Sequence, residues 1–278
     1  MAAATTASST RFVTSADGTE IAYEVIGPNQ GTGAALVVVE GAMCSRSMGT
    51  GQALTPLLSE HYAVHTYDRR GRGESGPGVS AYAVDREVED LVAVLEVAGP
   101  DAFVVGASSG AALVLEAARA GVQMGKIALY EAPFIVDDTH APNDPQLGRR
   151  TQELIDTDRR SEAVKLFLRT VGVPAFGLAV MRVLPVWRKL TAVAHTLPYD
   201  LEIVLPHQQG RPLAAGYYAD VATPTLLIVG GKSPAYMKNA QAAVLAQLPN
   251  ATLVELPGQT HMVRGKATAP ALRKFFGE

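Results

Sequence analysis

The sequence of 278 residues is 47% hydrophobic and 18% charged, with a formal net charge of −3 at pH 7, which is typical of a globular protein and excludes a largely disordered one. Lysine and arginine form no basic stripe, so we expect no nucleic-acid partner. The sequence contains no apolar run of about 18 residues, so we expect no membrane span. The single cysteine, Cys44, excludes an internal disulfide and a paired-cysteine metal site, and it is consistent with a cytoplasmic protein.

The first ten residues, 1–10, are rich in Ala, Thr and Ser, and we expect a disordered tail there rather than a secretory signal. After this stretch, short β-branched runs alternate with helical patterns. The predicted strands are 21–26, 35–39, 63–67, 102–105, 127–130, 226–229 and 252–256. The predicted helices are 84–97, 111–120, 240–248 and 269–276. This alternation predicts an α/β fold with a mainly parallel, twisted sheet and helices on both of its faces.

One segment, residues 134–221, interrupts this alternation because it has no convincing strand pattern. Helical spacing is found instead in three of its pieces, at 147–155, 163–170 and 176–184. We therefore predict a helical insertion in a core domain that is formed by residues 11–133 and 222–278.

A candidate nucleophile lies between a buried strand pattern and an Ala-rich helix. Residues 106–110, Gly-Ala-Ser-Ser-Gly, fit the G-x-S-x-G motif, which requires this strand–turn–helix context. The turn would lift the Ser108 hydroxyl out of the sheet, and the free N–H groups of the following helix would favour negative charge there. A plain Gly/Ser turn is the alternative interpretation, and the neighbouring Ser109 lies at the wrong position of the motif.

A candidate base lies in the loop between the last predicted strand and the last predicted helix. A serine hydroxyl needs a base to accept its proton, and histidine is the most common one. His261 would lie at the carboxyl edge of the sheet, where the Ser108 turn also lies. The other five histidines are interpreted as surface or core residues, although His195 in the insertion could face the site.

A candidate oxyanion hole follows the buried strand at 35–39, which ends in the small-residue turn Glu40-Gly41-Ala42. Backbone N–H groups of Ala42 and Ser109 could meet over a reacting carbonyl oxygen. An ordinary loop between a strand and a helix is the alternative interpretation.

Together these features resemble the α/β-hydrolase superfamily. The strand order, the Ser108 turn and the terminal His261 carry the resemblance, as does the segment DRRGRGES at 68–75. That segment is similar to the D-x-R-G-x-G-x-S pattern of the lidded esterase, cofactor-free haloperoxidase and haloalkane dehalogenase branches. The resemblance covers about residues 13–276, and it implies that residues 134–221 are a helical lid inserted between strands six and seven.

The chain departs from the family pattern at the acidic member of the catalytic triad. Relatives carry an aspartate after strand seven, where this chain has Gly-Gly-Lys-Ser-Pro at 230–234, with Ser233 in the place of the aspartate. A serine is not ionised at neutral pH and cannot stabilise an imidazolium as a carboxylate does. Some relatives carry the acid after strand six, so we predict that Glu131 is the acid, with Asp137 and Asp138 as rivals. A purely structural carboxylate is the alternative for Glu131.

Glu40 is a second departure, because relatives usually have histidine before the oxyanion glycine. A carboxylate that points into the site would oppose an oxyanion, whereas one that points away would hold the loop by hydrogen bonds. It could also be a second titrating group, and the sequence leaves these interpretations open.

The substrate is expected to be a small or medium, largely apolar molecule. Large side chains of the insertion would either pack it onto the core or line a pocket over Ser108: Phe167, Phe176, Met181, Leu184, Trp187, Tyr199, Tyr217 and Tyr218. The side chains that we single out as pocket candidates are Met43, Met181, Trp187, His195 and Met262.

The leading hypothesis is hydrolysis of an ester, lactone or thioester through an acyl-enzyme on Ser108. A serine nucleophile argues against dehalogenase and epoxide-hydrolase chemistry, which uses a carboxylate in this superfamily. The alternatives are a lyase, cyclase or C–C bond-cleaving enzyme on the same site, and a ligand-binding pseudo-hydrolase. No metal or organic cofactor is predicted, because neither paired metal-ligand spacing nor a dinucleotide motif is found. The sequence does not indicate an oligomeric state.

Overall fold

The computed structural model describes residues 9–28 and 34–277. Its strands are β1 Arg11–Thr14, β2 Glu20–Ile26, β3 Ala35–Val39, β4 Ala63–Tyr67, β5 Phe103–Ala107, β6 Lys126–Tyr130, β7 Thr225–Gly230 and β8 Ala251–Leu256. Its helices are α1 Thr50–Leu58, α2 Val84–Ala98, α3 Ser109–Arg119, α4 Leu147–Asp156, α5 Arg160–Thr170, α6 Ala175–Val183, α7 Pro185–Ala192, α8 Leu197–Val204, α9 Ala235–Leu245 and α10 Gly265–Phe276. The tail predicted at 1–10 lies outside the described residues except for Ser9 and Thr10.

The described strands form one sheet in the order β1-β2-β4-β3-β5-β6-β7-β8. The six strands from β4 to β8 along this order pair in parallel, whereas β1 and β2 are antiparallel to their neighbours. Parallel pairing places the carboxyl ends of β3, β5, β6, β7 and β8 at one edge. The predicted fold class, a mainly parallel sheet with helices on both faces, is confirmed.

Two apolar cores lie on the two faces of the sheet. Helices α2, α3 and α9 pack on one face, and α1 and α10 pack on the other. Because the central strands are covered on both faces, their side chains are buried without alternation, as in β3, where only Ala35 is partly exposed. This explains why the strands could be predicted from continuous apolar runs.

Two core elements were not predicted from the sequence. Strand β1 is a short edge strand that pairs with β2 alone in the sheet, and three of the four β1 residues are exposed. Helix α1 contains Gly51 and Pro56, which weaken a helical pattern, and its first N–H groups are bonded by a side chain from a different loop. Both elements therefore depend on contacts that are distant in the sequence.

The chain between β6 and β7 contains the helices α4 to α8 and no strand among its residues, all of which are described. These helices build a third apolar cluster around Trp187 and Leu168. Helix α6 has one buried residue, Leu178, whereas Phe176 and Val183 are largely exposed. Within the described ranges, no helix is long and apolar enough to cross a membrane.

Candidate active site

Ser108 stands at the sharp turn between β5 and α3. Its backbone has φ 56° and ψ −125°, a strained conformation for a residue with a side chain. The turn is possible because glycines flank it: a Cβ at Gly106 would lie 2.7 Å from the Gly110 carbonyl oxygen, and one at Gly110 would lie 2.4 Å from the Val39 carbonyl oxygen. The Ser108 side chain is thereby lifted to the carboxyl edge of the sheet, where it is half-buried.

His261 lies within hydrogen-bond distance of both Ser108 and Glu131. Its Nε2 lies 3.1 Å from the Ser108 Oγ, and its Nδ1 lies 2.7 Å from a carboxylate oxygen of Glu131. The loop that carries His261 is anchored by Tyr130, whose hydroxyl donates to the Thr260 carbonyl oxygen at 2.6 Å. The nucleophile, base and acid predicted from the sequence are thus brought together in one hydrogen-bonded chain.

Glu131 is fully buried and has a left-handed backbone conformation with φ 49°. Its second carboxylate oxygen accepts hydrogen bonds from the Gly230 N–H at 2.7 Å and from the Ser233 hydroxyl at 2.5 Å. Burial raises the pKa of this carboxyl, but the hydrogen bonds from His261, Ser233 and Gly230 outweigh burial and lower the pKa below its usual value. Ser233, in the place of the family's aspartate, therefore supports a carboxylate that comes from the neighbouring strand.

The rival acids predicted from the sequence lie elsewhere. The Asp137 carboxylate accepts hydrogen bonds from Thr139 and Asn239, and Asp138 is exposed. Neither carboxylate contacts His261 in the described structure, so Glu131 alone of the three candidates is in place.

Ala42 and Ser109 both line the cavity into which Ser108 and His261 project. Ser109 is the first residue of α3, so its N–H has no acceptor within the helix. Ala42 follows Gly41, where a Cβ would lie 3.1 Å from the Ser108 Cβ, so glycine favours this close approach of the two loops. The two residues whose N–H groups are predicted to form an oxyanion hole therefore line the same cavity as Ser108.

Glu40 points away from this cavity. Its two carboxylate oxygens accept hydrogen bonds from the Thr50 and Gly51 N–H groups, at 2.8 and 2.7 Å, at the beginning of α1. Burial raises the pKa of Glu40 to about 7, although these two hydrogen bonds oppose the change. Of the interpretations left open by the sequence, the structure favours a carboxylate that holds the loop, and its raised pKa makes it a titrating group as well.

The cavity over Ser108 has a volume of about 190 Å³. Apolar side chains form most of its wall: Pro133, Ile135, Phe167, Val171, Leu201, Val204, Pro234 and Met237. Polar side chains complete the lining: His140, Asn143, Thr170, Asp200, Gln208 and Tyr236. A larger surface groove, of about 650 Å³, lies between α4 and α8, but it contains none of the predicted site residues.

The five pocket candidates singled out from the sequence do not line this cavity, and that prediction is wrong. Met43, Met181 and Trp187 pack into the apolar cluster of the insertion, where Trp187 donates its indole N–H to Ser161. His195 lies against the backbone of Gly71, and burial lowers its pKa. Met262 follows the catalytic histidine candidate but faces solvent, with 72% of its surface exposed.

Sequence reasoning also missed most of the residues that do line the cavity, including Asn143, Asp200, Gln208 and Tyr236. They come from loops and helices that are separated along the chain and meet only after the insertion has packed on the core. Phe167, one of the large side chains noted in the insertion, is a cavity residue. No local motif marks the others.

The sequence pattern of the alpha/beta hydrolase family matches residues 41–270. The chain belongs to this family. An alpha/beta hydrolase from Sphaerobacter thermophilus, of known structure, is 41% identical, with 96% of this chain and 100% of that chain covered and a TM-score of 0.86. The uncharacterized hydrolase YraK of Bacillus subtilis is 27% identical over 160 residues, or 55% of each protein, so the chain spans about half the length of this curated relative.

The enol-lactonase from Burkholderia xenovorans is 19% identical, with 96% of this chain and 100% of that chain covered and a TM-score of 0.73, a likeness that concerns the fold alone. The comparisons thus show the alpha/beta hydrolase family and do not indicate a substrate. Among the described residues, no group of three or more His, Cys, Asp or Glu side chains is arranged to hold a metal ion. The expectation of a cofactor-free enzyme stays a prediction.

Proposed function

We propose that this hydrolase cleaves a small, largely apolar ester, lactone or thioester through an acyl-enzyme on Ser108. The observation that carries the proposal is the hydrogen-bonded chain from Ser108 through His261 to the buried Glu131. A ligand-binding protein of this fold would need no such chain, and it would gain nothing from the strained backbone at Ser108.

The protonation states follow from the acid. Glu131 is ionised at neutral pH and can only accept, so the Nδ1 of His261 carries a proton and donates a hydrogen bond to the carboxylate. Nε2 is then free to accept the proton of the Ser108 hydroxyl as its oxygen attacks the substrate carbonyl. The imidazolium that results is stabilised by the Glu131 charge.

The remaining steps follow from the same geometry. The N–H groups of Ala42 and Ser109 would donate to the oxyanion, whose charge is also favoured by the beginning of α3. His261 would return its proton to the leaving alcohol or thiol, and it would then activate a water molecule that hydrolyses the acyl-enzyme. No step in this sequence needs a group from outside the chain other than water.

The cavity limits the size and polarity of the substrate. Its volume of about 190 Å³ and mostly apolar wall suit a short or medium apolar acyl group better than a long chain or a charged one. Helix α5 of the insertion contributes Phe167 and Thr170 to the wall. We propose that residues 134–221 act as the lid that closes this cavity.

The test is turnover of a panel of p-nitrophenyl esters, lactones and acyl thioesters of increasing acyl length, with mass spectrometry of enzyme quenched during turnover. The proposal expects faster turnover of the short acyl groups and a mass increase, equal to the acyl group, on the peptide that contains Ser108. Turnover of none of these compounds by folded enzyme would refute it, and it would favour lyase or C–C cleavage chemistry on the same site.

A further inference from the structure

The segment DRRGRGES at 68–75 buries three arginines, although no step of the proposed reaction uses them. Arg69, Arg70 and Arg72 are each 1% exposed. A buried guanidinium is costly unless it is paired with carboxylates and its N–H groups all have acceptors. The acceptors of these arginines therefore indicate what the segment does for the rest of the molecule.

Arg72 donates to the loop that carries the oxyanion-hole candidate. Its Nη1 lies 2.7 Å from the Gly41 carbonyl oxygen and 3.4 Å from that of Cys44. Its Nη2 lies 2.7 Å from a carboxylate oxygen of Asp200, and its Nε lies 3.2 Å from the Thr196 hydroxyl. One planar side chain thus connects the loop after β3 to helix α8 of the insertion.

The Gly41 carbonyl and the Ala42 N–H belong to the same peptide unit. This peptide bond is trans, so its C=O and N–H point in opposite directions. A donor that holds the Gly41 oxygen therefore fixes the direction of the Ala42 N–H, and a charged donor also polarises the peptide so that its N–H becomes a better donor. Arg72 thus binds the carbonyl side of the peptide unit whose N–H would face the oxyanion.

The second half of the oxyanion-hole candidate is held by the same cluster. The Ser109 hydroxyl donates to Asp200 at 2.7 Å, and Arg69 donates to Asp200 at 2.8 Å and to the Glu40 carbonyl oxygen at 3.1 Å. Arg69 is also paired with the buried Glu87. Two arginines and two carboxylates balance the charge of this buried cluster.

We propose that Arg72, together with Asp200, is a positioning residue that aligns the Ala42 and Ser109 N–H groups for the oxyanion. This inference rests on the proposed function, since it assigns a role only if the reaction forms an oxyanion at Ser108. Arg72 does not line the cavity, and it acts through the peptide that it holds. The insertion therefore contributes Asp200 to the catalytic geometry as well as a wall to the cavity.

Arg70 provides a matched control within the same segment. It is as buried as Arg72, and it is paired with Asp90 by two hydrogen bonds of 2.7 Å. Its other acceptors are Asp17 and the Arg86 carbonyl oxygen, and none of these four hydrogen bonds reaches the loop after β3 or α3. We therefore expect the loss of charge pairing at Arg70 to lower stability and to leave the oxyanion-hole candidate unchanged.

The experiment compares Arg72→Lys with Arg70→Lys, because lysine keeps the charge but lacks the planar fork that reaches several acceptors at once. Active-site titration corrects kcat for the folded fraction, and binding of a trifluoromethyl ketone or boronic acid reports on the oxyanion hole. For Arg72→Lys we expect kcat to fall by about 10- to 100-fold with KM almost unchanged, and inhibitor affinity to fall by a similar factor. Arg70→Lys should lower the unfolding midpoint while kcat per folded molecule stays within about twofold of wild type.

Thr196→Val is a milder variant that removes one acceptor of Arg72 and keeps the charge cluster, in case Arg72→Lys does not fold. It should lower kcat by about two- to fivefold, again with KM unchanged. Equal kcat per folded molecule in the Arg72, Thr196 and Arg70 variants would overturn the positioning role while leaving Ser108 chemistry intact. Wild-type enzyme that forms no acyl-enzyme would overturn the proposed function and this inference together.

Discussion

The carboxyl edge of the sheet and the helical insertion above it both line the cavity, but they are held in place in different ways. At the sheet edge, Ser108, Glu131 and Met43 have left-handed backbone conformations, and hydrogen bonds hold the chain from Ser108 to Glu131. In the insertion, apart from the buried Asp200 that is paired with Arg69 and Arg72, apolar side chains pack on one another, and α6 leaves Phe176 largely exposed.

This difference separates chemistry from shape. Strained backbone and buried charge are costly, so they are maintained where atoms must be placed to within a fraction of an ångström. Apolar packing tolerates changes of side chain at a smaller cost. We therefore expect substitutions at the sheet edge to change kcat by large factors, and substitutions of apolar side chains in the insertion to change substrate preference by small ones. Thr196 and Asp200 belong with the sheet edge in this respect, because their side chains bond to Arg72. The following predictions test this contrast in order of decreasing effect.

Ser108→Ala should have the largest effect, because it removes the nucleophile itself. We expect kcat for a p-nitrophenyl ester to fall by about 10⁵- to 10⁶-fold, with an unchanged circular dichroism spectrum. Ser47→Ala, at an exposed serine on a loop of the core, is the control. Residual kcat within about tenfold of wild type would mean that another residue attacks the substrate.

Glu131→Gln should lower kcat by about 10³- to 10⁴-fold. The amide oxygen can keep the hydrogen bonds from Gly230 and Ser233, so the NH₂ group faces His261 and imposes the tautomer that cannot accept the Ser108 proton. Adding Ser233→Asp restores a carboxylate at the family's usual position, and we expect it to recover at least about tenfold of the lost kcat. A Glu131→Gln variant as active as wild type would show that this carboxylate is only structural.

Glu40 should make the stability of the protein depend on pH. Its pKa in the folded state, about 7, lies above the ordinary value of 4.5, so the folded state binds the proton more tightly than the unfolded state does. The stabilisation by the protonated carboxyl is then fully present at a pH below its ordinary pKa, and it is lost as the pH rises through the pKa of the folded state. This loss lowers the free energy of unfolding by about 3 kcal/mol. Urea unfolding of wild type and Glu40→Gln at about pH 4 and about pH 8 measures this loss, which the variant should lack.

Glu60→Gln, at an exposed glutamate, is the matched control for this titration and should behave as wild type. If wild type and Glu40→Gln lose the same free energy of unfolding between the two pH values, the carboxylate is already ionised in the folded state throughout. The hydrogen bonds from Thr50 and Gly51 would then dominate over burial.

Phe167→Ala should change substrate preference rather than the rate of the chemical step. The substitution enlarges the cavity, so the ratio of kcat/KM for a hexanoyl over an acetyl ester should rise by about tenfold. Phe176→Ala, at the exposed aromatic residue of α6, should leave the ratio unchanged. A loss of kcat for every ester in Phe167→Ala, without a change in preference, would contradict the separation of chemistry from shape.

Met262→Ala should have the smallest effect, with kcat and KM within about twofold of wild type, because its side chain faces solvent. Met237→Ala is the variant for comparison: Met237 is buried in the cavity wall, so its substitution should alter KM. A large change in Met262→Ala would imply that the loop moves inwards when substrate binds.

The sequence predicted the sheet edge well because its signals are local. Glycines on both sides of Ser108 permit the tight turn, and continuous apolar runs indicate strands that are buried on both faces. A histidine after the last strand then lies at the same edge as that turn. Glu131 was predicted from its position at a strand end once Ser233 had replaced the usual aspartate. The structure adds the physical link, a hydrogen bond between the two.

The cavity wall and the buried arginine cluster could not be predicted in the same way. Asp200 was not considered because nothing near it in the sequence indicates that it meets Arg72 and Ser109. Met262 was chosen for its position next to His261, but neighbours along a loop point in different directions. Helix packing in the insertion decides which side chains reach the cavity, and this depends on contacts that no short pattern contains.

The central claim is that Ser108 is a nucleophile activated through His261 by Glu131. The most direct test is the rate of labelling by a fluorophosphonate probe in wild type, Ser108→Ala and Glu131→Gln, with the adduct mapped by mass spectrometry. We predict rapid labelling of Ser108 in wild type, none at this site in Ser108→Ala, and a rate at least about 100-fold lower in Glu131→Gln. Folded wild-type protein that leaves Ser108 unlabelled, or equal rates in wild type and Glu131→Gln, would contradict the claim.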